Sequence, residues 1–213
     1  MKQKLFVMLG DVFSSRKIKD KELFQKKLDK ACREINRAYA DDIYADFRIL
    51  KGIDEIEGVL LNISKSYEII NSILEQLYPH SMRFVLSLDY IDTALDAHNV
   101  TKMDGPAFHK ASDMIHELKS SRLFFDMSAG NDVLDAAIAG EVNLIMILKK
   151  NWSTRQHQIA KEYRKKRNQD EVAHTLGITQ QSVSGTLIRS MWKEINHIEE
   201  KLNYVLNNYP AKP

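Results

Sequence analysis

The stretch Gln169-Asp-Glu-Val-Ala-His-Thr-Leu-Gly-Ile-Thr-Gln-Gln-Ser-Val-Ser-Gly-Thr-Leu-Ile188 decides how the last third of the chain folds. Two short helices crossing through a tight turn need a small residue at their contact, and Ala173 supplies it. The turn needs a backbone that accepts positive φ, and Gly177 supplies that. Val172, Leu176, Ile178, Val183 and Leu187 are the side chains such a pair would pack together, and all are apolar. Thr179 stands where the second helix needs an N-cap. The spacing therefore predicts a helix-turn-helix with Gln180, Gln181, Ser184 and Arg189 on its outer face. Glutamine pairs with adenine edges, arginine with guanine or phosphate, and serine with phosphate, so this face is a candidate DNA reader. Gly185 inside the second helix costs roughly 1 kcal/mol relative to alanine, and nothing in the sequence accounts for it.

The flanks carry the same sign. Trp152-Ser-Thr-Arg-Gln156 and the cluster Arg164, Lys165, Lys166 and Arg167 fit a preceding helix and a phosphate-contacting edge. A basic cluster alone is ordinarily a solvated face; beside this motif it makes DNA the expected partner. From Lys149 to Lys193 ten basic residues stand against three acidic ones, a net charge of +7, whereas residues 1–148 carry −4. A basic module joined to a mildly acidic one is expected where only one part meets phosphate. Beyond the motif, Trp192, Ile195, Ile198, Leu202 and Val205 recur at helical spacing. That stripe packs on the protein's own core or pairs with a second copy, and the spacing leaves both open. A homodimer is a candidate because helix-turn-helix proteins commonly read paired half-sites.

With 213 residues, 44% hydrophobic and 28% charged, the chain has room for one ordinary domain and a small one, and the composition excludes a disordered protein. Cys32 is the only cysteine, which rules out an intrachain disulfide and suits a reducing cytoplasm. No apolar stretch reaches the ~20 residues of a membrane helix. A cytoplasmic protein with no membrane partner is the expectation. No P-loop or serine–histidine–aspartate pattern is present, and His80, His98, His109 and His116 have no metal-ligand spacing.

The first part alternates strand and helix signals. Leu5–Leu9 is a short apolar run, and Lys21–Ala38 has helical spacing through Leu23, Leu28, Ala31 and Ile35. Phe47–Leu50 and Val59–Leu61 flank a Gly52–Gly58 hairpin. Tyr67–Leu77 is helical again, Arg83–Leu88 a strand, Ala107–Leu118 a helix opened by Pro106, and Leu123–Phe125 a last strand. This β-α-β-β-α-β-α-β order predicts a sheet covered by helices on one face. Asn131–Lys149 reads as a connecting helix capped by Asn131 or Asp132. The expected organisation is an α+β domain over 1–128, a connecting helix over 129–150, and an all-α helix-turn-helix domain with a C-terminal helix over 151–213.

The run Gly10-Asp11-Val-Phe-Ser-Ser-Arg-Lys-Ile18, the hairpin Asp54-Glu-Ile-Glu-Gly58, the turn Asp104-Gly-Pro-Ala-Phe108 and the downstream motif together resemble the SatD family. In that bacterial group, a domain similar to class III nucleotide cyclases or GGDEF domains precedes a helix-turn-helix. The resemblance implies a ferredoxin-like first domain. It also implies two metal-binding carboxylates, Asp11 after the first strand and Asp54, or else Glu55, in the hairpin, with magnesium or manganese and a nucleotide as cofactors. The alternatives are a carboxylate capping the turn for Asp11 and a solvated hairpin tip for Asp54 and Glu55. Three departures argue against catalysis. Ile53 replaces a glycine that lets phosphate approach the backbone, His109 stands for an asparagine, and Asp113 puts negative charge where a transition state needs positive. The expectation is a DNA-binding transcriptional regulator whose first domain senses a ligand or mediates assembly without catalysis. The rival reading is a metal-dependent nucleotidyl cyclase-like enzyme using Asp11 and Asp54.

Overall fold

A computed structural model describes residues 2–50, 52 and 54–210. The alternating first part becomes β1 (Gln3–Val12), α1 (Lys21–Ala38), β2 (Ile43–Ile49), β3 (Glu55–Leu60), α2 (Ser66–Leu77), β4 (Met82–Ile91), α3 (Pro106–Ser120) and β5 (Phe125–Ser128). The strands form one sheet in the order β2-β3-β1-β4-β5. Strand β5 runs parallel to β4, and the other neighbours are antiparallel. Strand β3 thus sits between β1 and β2, and β1 between β3 and β4, so two β-α-β crossings interleave. Asp20 sets the start of α1 by accepting from the Leu23 amide at 2.9 Å.

Helices cover both faces of the sheet, not one. Leu5, Val7 and Leu9 on β1 and Val85 on β4 pack with Ala107, Phe108, Ala111, Ile115 and Leu118 of α3. The alternate residues Phe6, Met8, Phe84 and Leu86 are equally buried, on the side served by the mutually packed α1 and α2. Alternate side chains point to opposite faces, so an unbroken apolar run such as Leu5–Leu9 is the mark of a strand buried on both sides. The hairpin also differs from expectation. Glu55, Ile56, Glu57 and Gly58 lie opposite Asp11, Gly10, Leu9 and Met8, so they belong to β3. Ile53 lies outside the described residues.

The rest of the chain is helical: α4 (Asp132–Lys150), α5 (Thr154–Lys166), α6 (Gln169–Leu176), α7 (Gln180–Arg189) and α8 (Trp192–Asn207). The chain divides into two compact units, Met1–Asn143 with Asn203–Pro213, and Leu144–Leu202. The first division therefore falls inside α4, and the end of the chain returns to the first unit. Two buried polar contacts explain why. Asn143 on α4 bonds to Phe124 and Phe125 at the start of β5. The Tyr209 hydroxyl donates to the buried Asp135, whose other oxygen accepts from the Ala129 amide at 2.7 Å. Burial, and then Asp135 beside it, raises the Tyr209 phenol well above its ordinary pKa.

In the second unit α5, α6 and α7 close around Ile159, Ala160, Val172, Ala173, Val183 and Leu187, with Leu176 and Ile178 partly buried against them. All five apolar positions singled out in the sequence take part. Buried Glu199 on α8 ties this unit together electrostatically, accepting from Lys149 and, at 3.2 Å, from Arg164. Of the α8 stripe, Trp192, Ile195 and Leu202 are buried, whereas Ile198 is 37% exposed. Most of that stripe therefore serves the chain's own core.

Candidate functional site

The outer face of α7 is built from its ends inward. Gly177 ends α6 in the left-handed region with φ 62° and lets the chain turn within three residues. Thr179 then caps α7, its hydroxyl accepting from the Ser182 amide at 3.2 Å. Gln180 and Gln181 are exposed in the first turn, Ser184 is half-exposed, and Arg189 is exposed in the last turn. The Gln180 carboxamide donates to Gln169 Oε1 at 2.6 Å, which joins the first residues of α6 and α7. Gln169 went unremarked in the sequence because the pairing needs the crossing angle of the two helices.

Gly185 now has a reason. A Cβ there would lie 3.2 Å from Arg189 Nη1, so the guanidinium folds back across the glycine. Its other end donates to the Thr186 hydroxyl at 3.1 Å. The glycine opens the surface that lets Arg189 lie along the helix. Ile188, beside it, is 73% exposed.

The basic cluster ahead of α6 is not uniform. Arg164 is held by Glu199, and Arg167 lies over the Trp192 ring at 5.0 Å and donates to Asn196. Arg167 also ends α5 with φ 54°, a left-handed C-cap. Lys165 is exposed and only loosely paired with Glu162, at 3.6 Å, and Lys166 is half-exposed. The start of α5 is fixed by a capping box in which Ser153 and Gln156 bond reciprocally, with exposed Arg155 in its first turn.

In the first unit the carboxylates stand differently from the resemblance's metal pair. Asp11 is buried at the end of β1, with Lys119 Nζ 2.7 Å from Oδ1 and Arg83 Nε 3.7 Å from Oδ2. The Arg83 guanidinium lies 4.0 Å over the Phe13 ring. Burial pulls the Arg83 pKa below its usual value, and Asp11 opposes that. The Asp54 carboxylate accepts from Ser15 Oγ at 3.0 Å, and its backbone carbonyl accepts from the Val12 amide at 2.8 Å. Magnesium and manganese require several converging oxygen ligands. Here both Asp11 oxygens face cations, and no group of three His, Cys, Asp or Glu suited to a metal occurs among the described residues. The residues present do not fit the divalent ion. Arg83 and Lys119 were missed in the sequence because each is remote from Asp11, although an arginine in the apolar run Met82–Leu86 was a visible anomaly. His109 lies 3.1 Å from Asp104, and Asp113 is exposed.

The SatD family profile matches residues 5–201, nearly the whole chain. The chain belongs to the SatD family. No curated protein matches this SatD-family sequence. Among solved structures it is similar to a bacterial light-regulated adenylyl cyclase at 14% identity, with a TM-score of 0.44 over 61% of this chain and 78% of that one. A second structure of a bacterial light-regulated adenylyl cyclase gives 15% identity and a TM-score of 0.43, over 61% of this chain and 44% of that one. No helix of the SatD-family chain is long and apolar enough, among the described residues, to cross a membrane.

Proposed function

We propose that this SatD-family protein is a cytoplasmic DNA-binding transcriptional regulator. In this reading α6, the turn at Gly177 and α7 are a helix-turn-helix, and the ferredoxin-like first unit is a non-catalytic sensor or assembly domain. The observation that carries it is the face of α7. Polar residues suited to base and phosphate contacts lie on a capped helix whose opposite side is fixed by Val183 and Leu187. The basic surroundings supply the sequence-independent attraction, with Lys165, Lys166 and Arg155 as phosphate contacts. Arg164 and Arg167 act there by shaping the unit through Glu199 and Trp192. A homodimer reading two half-sites is part of the proposal.

The test uses the full chain with a fluorescent mixed-sequence DNA duplex, titrated at several salt concentrations. Binding should weaken steeply with salt, and Lys165→Glu with Lys166→Glu should flatten the slope. On a duplex selected from random sequence, Gln180→Ala and Arg189→Ala should each cost about 1–3 kcal/mol. Absence of binding at low salt, or affinity untouched by all four substitutions, would overturn the reading.

A further inference from the structure

One side chain on α7 differs in kind from the polar face it stands on. Ile188 is 73% exposed, whereas Val183, Thr186 and Leu187 of the same helix are buried. A lone apolar side chain in water is ordinary on a protein surface. Its position is what sets this one apart.

Residues i, i+3, i+4 and i+7 share one side of a helix. Counted from Gln181, these are Ser184, Gly185 and Ile188. Gln181 is exposed, and Ser184 and Gly185 are half-exposed. Ile188 therefore ends the stripe that Gln181 begins, on the side of α7 away from Val183 and Leu187. The middle of the stripe is low. Ser184 is small, and a Cβ on Gly185 would meet no side chain except that of Arg189. A surface seated on this stripe comes close to the backbone in the middle and meets a glutamine at one end and an isoleucine at the other.

Two kinds of surface take up an exposed isoleucine: the apolar centre of a protein interface, or the C5 methyl group of a thymine in the major groove. A protein interface is centred on a contiguous apolar patch. Along its stripe Ile188 has only polar or absent side chains, charged Arg189 follows it, and Met191, 49% exposed, lies past the end of the helix. The surrounding segment from Lys149 to Lys193 carries ten basic residues against three acidic ones, which suits a phosphate polymer. In the major groove, an A·T pair presents hydrogen-bonding edges and a methyl group side by side. That mixture matches a stripe of glutamine, serine and one isoleucine better than an apolar protein surface does.

We propose that Ile188 packs on the C5 methyl group of a thymine in the major groove and so selects thymine at one position of the DNA site. The inference rests on the DNA-binding reading of α7 and adds to it a base contact made without a hydrogen bond. Cytosine carries no such methyl group, so the contact tells the two pyrimidines apart.

The test uses the full chain and a duplex selected from random sequence, in which each thymine is replaced singly by uracil. Uracil pairs as thymine does and lacks only the methyl group. At one position per half-site the replacement should weaken wild-type binding about fourfold, the effect of one buried methyl group. Ile188→Ala should bind the thymine duplex more weakly and show no uracil penalty at that position. Gln180→Ala should also bind more weakly yet keep the penalty, which separates the methyl contact from a general loss of affinity. Absence of binding at low salt would overturn the DNA reading and this contact with it. Salt-sensitive binding that no uracil replacement weakens, or a penalty that persists in Ile188→Ala, would overturn the contact alone. So would an Ile188→Ala variant that binds DNA as the wild type does but loses self-association in sedimentation, since Ile188 would then belong to a protein interface.

Discussion

Asn143 and Phe125 exchange hydrogen bonds as two paired strands would, the asparagine oxygen accepting from the Phe125 amide at 3.1 Å and its nitrogen donating to the Phe125 carbonyl at 2.7 Å. The same oxygen takes the Phe124 amide, and the same nitrogen reaches the Ala139 carbonyl. At the other edge of the sheet, Asn36 on α1 makes the matching exchange with Phe47 on β2. Each outer strand therefore has a stretch of its open backbone answered by a carboxamide from a helix. An open edge invites pairing with another chain, and covering it is one way proteins suppress that.

Asn143→Leu should lower the stability of the fold by about 2–4 kcal/mol, because buried backbone amides at Phe124 and Phe125 lose their acceptor. Asn36→Leu, at a half-exposed site, should cost about 1 kcal/mol, since water can replace the side chain. Urea denaturation of the two variants beside the wild type measures the difference. Equal losses would mean that burial does not set the cost.

Gly185→Ala should stabilise the second unit by up to ~1 kcal/mol, the helix-propensity gain, because only the mobile tip of Arg189 must move. The same substitution should displace the guanidinium and, under the proposed reading of α7, weaken DNA binding. A melting temperature that rises while affinity falls is the expected pair of results. A stabilised protein that binds DNA as before would show that the posture of Arg189 is irrelevant to recognition.

Asp11→Asn should destabilise the first unit by about 3 kcal/mol, because it leaves the buried Arg83 without its counter-charge. Manganese or magnesium should leave the melting temperature of the wild type unchanged, since Lys119 and Arg83 already occupy the carboxylate. A metal-dependent rise that disappears in Asp11→Asn would contradict this and restore the enzyme reading.

The Cys32 thiol is buried on α1, and burial, followed by the nearby Asp29 charge, pushes its pKa up to about 12. Near pH 8 it stays protonated and enclosed, and thiolate is the reactive form. Ellman's reagent should label none of the native protein on the timescale of minutes and one thiol per chain in guanidinium. Prompt labelling of the native state would mean that α1 opens far more readily than its packing implies.

The local signals were legible where chemistry is local. The bounds Lys21–Ala38 of α1 follow from apolar spacing and the cap, and Ala173, Gly177 and Thr179 each do what their residue type dictates. The order of strands and helices was legible for the same reason. The second covered face was written in the unbroken Leu5–Leu9 run but requires reading both parities of a strand at once. What escaped was long-range pairing: Lys119 on Asp11, Glu199 under Lys149 and Arg164, and Tyr209 on Asp135. These contacts join residues far apart in the chain, and no spacing rule links them. The position of Arg189 over Gly185 is local, yet it depends on a rotamer that composition does not encode.

Because residues 203–213 return to the first unit, the second unit is an insertion with two peptide connections to its host. A single proteolytic nick within α4 would leave the second unit covalently joined, through the junction at Leu202, only to the short segment that packs in the first unit, so it would stay attached to its host through that segment's packing. Only a cut on each side would release residues 144–202. Dissecting this protein therefore calls for excision and a bridging linker, and deletion from the C-terminus would remove Tyr209 and injure the host first.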